Sequence, residues 1–116
     1  MILVLRESIE LCPHCFINVE VNENFDMQDT FGLIRIRSSL SRRGIFLSSG
    51  IYDPGFKGVG GVTLYNFSDD TINIAKYTRI GQMIVFQANS AKKYNGFYNQ
   101  NKTIKSQYEG DLNEQI

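Results

Sequence analysis

Apolar residues recur at every second position in this chain, and that period excludes most architectures before any motif is read. Ile9 and Leu11 alternate with Ser8 and Glu10, and Ile17, Val19 and Val21 alternate with Asn18, Glu20 and Asn22. The same holds for Ile34 and Ile36 against Arg35 and Arg37, and for Ile72 and Ile74 about Asn73. Successive strand side chains point to opposite faces, so this period predicts antiparallel strands with one face buried and one wet. Asn22-Glu23-Asn24, Asp53-Pro54-Gly55 and Ser68-Asp69-Asp70 read as turns, and Asn24 to Thr30 reads as a polar loop interrupting the sheet. One segment invites a helix of two turns at most. Ser38 or Ser39 can cap it, Leu40 anchors it, and Gly44 can end it in a left-handed conformation. The expected fold is all-β, with many short strands in a sandwich or barrel-like arrangement.

The 116 residues are enough for one domain with a modest core. Apolar residues thin out from about Asn89, so residues 1–90 are expected to form the core. Residues 91–116 then form a polar tail that folds over a site or stays mobile. Twelve Lys and Arg balance twelve Asp and Glu. A nucleic-acid binder usually carries a basic excess, so no DNA or RNA partner is expected. No apolar run approaches the ~20 residues of a membrane span. The apolar start, Met1 to Leu5, breaks at Arg6-Glu7 without the basic lead of a signal peptide. These features predict a soluble, cytoplasmic protein with no membrane partner.

Cys12-Pro13-His14-Cys15 is a Cys-x-x-Cys with the insert of strongly oxidising thioredoxin-like proteins. That chemistry needs the first Cys at a helix N-terminus in a βαβ setting. Here strand-like segments flank the motif and Pro13 marks a turn, so a structural turn is the leading reading. A redox role and a metal site shared with another chain are the alternatives. Two cysteines and one histidine fall short of the four ligands of a structural zinc, and no metal site is assigned.

Against the neutral whole, Arg35, Arg37, Arg42 and Arg43 fall within nine positions, which is either a solvated face or a local anion site. A short helix opening Arg37-Ser38-Ser39 would set two hydroxyls and free backbone N–H groups beside guanidinium forks, a set suited to phosphate. An ordinary helix cap has the same signature. Asp53 in its Pro-Gly turn could hold a sugar hydroxyl or orient a water, Phe56 offers a ring face, and Lys57 a cation. A plain turn with a local Asp acceptor would look alike. Gln82 adds an amide able to bond phosphate or base.

Taken in order, Arg37-Ser38-Ser39-Leu40-x-Arg42-x-Gly44, Asp53-Pro54-Gly55-Phe56-x-Gly58 and Arg79-Ile80-Gly81-Gln82-Met83 resemble the dUTPase and dCTP deaminase superfamily. Gly58 to Asp69 resembles the dUTPase strand after the motif Asp. Tyr94 to Gln100, with Thr103 and Ser106 beyond, resembles the deaminase C-terminus. The resemblance runs from about Leu3 to Asp111. It implies a homotrimer of distorted β-barrel or jelly-roll subunits, with nucleotide sites between subunits closed by the C-terminal tail. On it, Arg37, Ser38, Ser39 and Arg42 hold phosphates or the base-proximal water, and Gln82 bonds phosphate. Asp53 meets the sugar 3′-hydroxyl and, in a hydrolase, activates the attacking water. Phe56 packs on the deoxyribose, and Tyr94, Tyr98 and Gln100 belong to the closing tail. Mg²⁺ would arrive on the nucleotide phosphates.

The departures from that pattern bear on function. The deaminase general base is a Glu ten residues after the motif Asp, and that position is Thr63 here. A hydroxyl cannot shuttle the proton that attack on cytosine needs. The upstream Tyr-Asp-Leu motif and the Gly-rich, Phe-containing closing motif of dUTPases are not found in the sequence. Tyr77 stands where the family has a turn Gly, which implies backbone strain if φ is positive there. The expected function is nucleotide binding without deamination, for sequestration or regulation. The alternatives are a minimal dUTP diphosphatase using Asp53 and Mg²⁺, and a trimeric regulator that acts through a protein partner.

Overall fold

The computed structural model describes residues 1–88. Eight strands and one short helix follow in order: β1 (Ile2–Val4), β2 (Ile9–Leu11), β3 (Phe16–Asp26), β4 (Thr30–Ile36), α1 (Ser38–Arg42), β5 (Ile45–Ser48), β6 (Lys57–Asn66), β7 (Ile72–Ile74) and β8 (Arg79–Gln87). The alternating segments are all strands, and every pairing is antiparallel. They form three open sheets, ordered β1-β8-β4, β2-β7 and β3-β6-β5, rather than a closed barrel. The architecture is all-β, of the jelly-roll type.

Residues that the period sends inward make one core. Leu3, Leu5, Leu11, Val21, Phe25, Leu64 and Ile80 are buried, joined by Leu40 of α1 and Ile72 and Ile74 of β7. Most strands bury alternate side chains, β8 departing from this with Ile80 and Met83 both buried, so the three sheets need one another to cover their apolar faces.

Three local expectations need correction. Asn22-Glu23-Asn24 is no turn but lies inside β3, where the ladder to β6 shifts register between Glu20 and Asn24. Turn-forming composition is overridden by two non-local ties: Glu23 Oε1 accepts from the Val4 N–H at 2.6 Å, and Phe25 is buried. The polar loop from Asn24 to Thr30 therefore shrinks to Met27–Asp29, and even Met27 is buried. Neither Ser38 nor Ser39 caps the helix. The N-cap is Arg37, with no side-chain cap bond, because α1 already includes Ser38. Gly44 does follow the helix in a left-handed conformation, φ 92°.

Candidate functional site

Arg37, Ser38, Ser39, Arg42 and Gln82 gather at one end of the β4–β8 pair. The Arg37 N–H donates to the Ile80 carbonyl at 2.8 Å, which fastens the start of α1 to β8. In the ladder Gln82 stands directly opposite Arg35, and both are exposed. Directly opposed residues share a face, so Arg35 joins this group although the motifs did not single it out. Gly81 makes the approach of the two strands feasible, since a Cβ there would drive into the Arg35 carbonyl oxygen. The ion pairs among the described residues use Arg6, His14 and Lys76. Arg35, Arg37, Arg42 and Arg43 enter none of them. Arg37 makes one long contact, Nη1 to the Arg79 carbonyl at 3.5 Å. A helix of five residues contributes little dipole, so attraction for an anion rests on the guanidinium groups.

Asp53 and Phe56 sit in the connection from β5 to β6, and this hairpin is held differently. The Phe56 N–H closes the turn on the Asp53 carbonyl at 3.1 Å, and Gly55 takes φ 89°. The Gly55 N–H donates to the Gln28 carbonyl and the Met27 N–H to the Phe56 carbonyl, which docks the turn on residues 27–29. Tyr52 locks the base. Its backbone exchanges two hydrogen bonds with Gly32 at 3.0 Å, and its ring packs edge-on against Phe25 and Phe56 at 4.9 and 5.0 Å. Its hydroxyl donates to the Gly61 carbonyl at 2.7 Å and accepts from the Gly61 N–H at 2.8 Å. Beyond Ser48 β5 no longer pairs with β6, so these two backbone groups would otherwise face solvent.

No hydrogen bond or ion pair among the described residues joins the two groups. Tyr52 is bridged to Gly32 of β4. At ~3.3 Å per strand residue, the hairpin base lies roughly 10 Å from Arg35 and roughly 17 Å from Arg37 along that strand. The groove of about 490 Å³ beside the hairpin is lined by Asn18, Val19 and Glu20 of β3, Ser48, Ser49 and Gly50, and Gly61, Val62 and Thr63 of β6. Thr63 is thus a groove residue, and its hydroxyl donates to Asn18 Oδ1 at 2.6 Å. Asn18 carried no signal in the sequence, because its register opposite Thr63 joins positions 45 residues apart. Tyr52 could have been noticed as the residue preceding the motif Asp. Tyr94, Tyr98 and Gln100 lie outside the described residues.

Tyr77 does adopt a positive φ, 66°, in the turn that feeds β8. The Thr78 N–H closes that turn on the Ala75 carbonyl, and the Tyr77 N–H is anchored on Leu5. The Lys76 ammonium lies 5.0 Å from the Tyr77 ring centre.

Known proteins resemble this chain in sequence and in fold. The dCTP deaminase of Pyrobaculum islandicum is 28% identical over 97 residues, which is 83% of this chain and 55% of that protein. The dCTP deaminase of Pyrobaculum arsenaticum is 27% identical with the same coverage. The chain spans about half the length of these curated relatives. Among solved structures, native EIAV dUTPase superposes with a TM-score of 0.67 at 20% identity, covering 75% of this chain and 73% of that one. The dUTPase of Staphylococcus bacteriophage 80alpha, as a G164S mutant with dUpNHpp, gives 0.65 at 17% identity, covering 73% and 68%. At these identities the structural likeness speaks for the fold. The dUTPase family model matches residues 3–111, nearly the whole sequence, and the chain belongs to that family, within the dUTPase/dCTP deaminase superfamily.

Proposed function

We propose that this protein binds a deoxynucleotide by its phosphates and sugar, at sites shared between the subunits of a homotrimer, and does not deaminate it. It would act by sequestering the nucleotide or by reporting its level. The observation that carries this reading is the Thr63 hydroxyl, tied to Asn18 at 2.6 Å where a deaminase would present a carboxylate. The separation of the arginine group from the Asp53 hairpin supports a shared site, since a second copy can bring its hairpin to the first copy's arginines. Nucleotide as the ligand class is supported by the curated relatives, named as dCTP deaminases, and by the phage dUTPase structure holding dUpNHpp.

In this reading Arg37 and Arg42 fork onto phosphate oxygens, Ser38, Ser39 and Gln82 add hydrogen bonds, and Phe56 covers the sugar face. Among the described residues no three His, Cys, Asp or Glu side chains gather at one point. A Mg²⁺ ion would enter on the nucleotide's phosphate oxygens, where it would neutralise charge.

The second reading is hydrolysis of the nucleotide to monophosphate and pyrophosphate, with the Asp53 carboxylate orienting the attacking water. It is favoured by the rigid seat of Asp53 over the Tyr52 lock, which is what a positioned base requires. The third reading is a regulator acting through a protein partner; a phage 80alpha dUTPase that shares this fold is described as controlling transfer of virulence genes.

One experiment separates the three. Wild-type protein and Asp53→Asn are incubated with dCTP, dUTP or dTTP and Mg²⁺, and ammonia, pyrophosphate and intact nucleotide are assayed separately. Stoichiometric return of intact nucleotide after denaturation supports binding. Fast pyrophosphate release that Asp53→Asn lowers by on the order of 100-fold or more, the scale of a general base, establishes the hydrolase instead. No thermal shift with any nucleotide favours the protein regulator, and ammonia release from dCTP removes the reading of Thr63.

A further inference from the structure

The Cys12–Cys15 motif, which nucleotide binding leaves unused, closes the turn between β2 and β3, and the two cysteines form a disulfide. The Cys15 N–H donates to the Cys12 carbonyl at 3.2 Å, Pro13 takes the second turn position, and His14 takes the third with φ 58°. A type II turn calls for that pattern. We propose that this pair is a reversible thiol–disulfide site, which exchanges two electrons with an external dithiol while the fold stays intact.

Two observations carry the proposal. The first is that the turn is pinned by bonds that do not involve sulfur. The His14 N–H donates to the Asn66 carbonyl at 2.8 Å, and the Asn66 N–H donates to the Cys15 carbonyl at 3.0 Å. The Asn66 side-chain amide donates to the Leu11 carbonyl at 3.0 Å and to the Asp70 carbonyl at 2.8 Å, and its Oδ1 accepts from the backbone N–H and hydroxyl of Ser68. The His14 ring meets Asp69 at 3.0 Å. Asn66 is fully buried, so this clamp is fixed. Breaking the S–S bond therefore leaves both thiols in place, with Cα atoms 5.4 Å apart, a separation from which the bond can re-form. A cross-link over so short a loop also restrains the unfolded chain little, which makes a purely stabilising role a weak one.

The second observation is an asymmetry. Cys12 is exposed, whereas Cys15 is half-buried and packed on the core. An external thiolate therefore attacks Cys12 Sγ. The S–S bond breaks, and Cys15 leaves as a thiolate that takes a proton from water. The second thiol of the same reductant then attacks the mixed disulfide at the reductant's own sulfur. The reductant closes into a disulfide, and Cys12 leaves as a thiolate and is protonated. Two electrons have passed to the pair, and the reverse sequence re-oxidises it. Exposure and held proximity supply the reactivity here, in place of the helix N-terminus that thioredoxin-like sites use.

The test uses the full chain under native conditions in buffers of graded reduced-to-oxidised glutathione ratio. Each sample is quenched with a maleimide, thiols are counted by intact mass, and far-UV circular dichroism is recorded alongside. Two thiols are expected to appear together, with an unchanged spectrum, and to disappear when the ratio is reversed. Cys15→Ser should trap glutathione on Cys12, and Cys12→Ser should react at Cys15 more slowly, by on the order of tenfold, reflecting access. Thiols that appear only in denaturant, or a spectrum that collapses on reduction, would show a fixed staple and overturn the proposal. A reduced pair that oxidised glutathione cannot close overturns it as well, and equal rates in the two variants remove the assigned point of attack.

Discussion

The Asp53–Phe56 hairpin and the Arg37–Arg42 segment are fixed by different kinds of contact. Side chains seat the hairpin: Tyr52 bonds both backbone groups of Gly61, and Phe25, Tyr52 and Phe56 interlock. The arginine segment is held through its backbone and by buried Leu40, while Arg42 and Arg43 extend from an exposed surface. In the proposed site the hairpin would form a preset wall on the sugar side, and the phosphate side would be left for the ligand to order. Changes on the hairpin should register in stability and ligand affinity together. Changes to the arginines should register in affinity, and in its dependence on salt.

The largest effect is expected where the arginine segment is joined to the sheet. Gly81→Ala pushes a methyl group into the Arg35 carbonyl, on backbone that cannot rotate away. Urea unfolding should show a loss of about 3 kcal/mol, the upper range for overpacking. An unchanged midpoint would mean that β4 and β8 are free to move apart, and that the arginine group has a softer base than described. Tyr52→Phe comes next. It strips the Gly61 N–H and carbonyl of their partner at a site water can reach, so the loss should be about 1 kcal/mol. Nucleotide affinity, measured by calorimetry, should fall with it. A stability loss without an affinity loss would detach the hairpin from ligand binding and break the contrast.

The smallest effect runs the other way. Tyr77→Gly relieves a left-handed residue worth about 2 kcal/mol, less about 1 kcal/mol for the entropy of the added glycine and about 0.5 kcal/mol for the lost Lys76 contact, so a gain of about 0.5 kcal/mol is expected in thermal unfolding. Affinity should not change, because the turn touches neither half of the site. If affinity falls, the strained turn is positioning Arg79 to Gln82.

Local pattern carried much of this structure. The alternation at Ile9 to Leu11 and Ile72 to Ile74 predicts two strands, and β2 and β7 pair with each other in that register. Gly44 ends the helix as its position implies, and Tyr77 takes the positive φ considered for it in the sequence. What was illegible depends on partners far away in sequence. Asn22 to Asn24 have turn composition, yet β6 and Val4 hold them in a strand. Asn66 reads as an ordinary polar residue next to a turn, and only its fully bonded burial shows that it clamps the cysteine turn. Asn18 joins Thr63 in the groove solely through its register opposite that residue. The serines of the Arg-Ser-Ser motif suggested caps because a cap is the commonest local use of a hydroxyl there, but the helix begins one residue sooner.

The register shift in β3 has a bearing on how this fold tolerates change. Between the Glu20–Gly61 and Asn24–Val59 pairs, β3 advances four residues while β6 advances two. The surplus is an even number, so Val19 before it, Val21 within it and Phe25 after it all still face inward. Odd and even lengths are therefore not equivalent at this point in the chain. Gaining or losing a pair of residues preserves the parity of the whole strand, whereas a single insertion would turn Phe25 outward and carry the seat of the Asp53 hairpin with it. Relatives that differ in length here should differ by two.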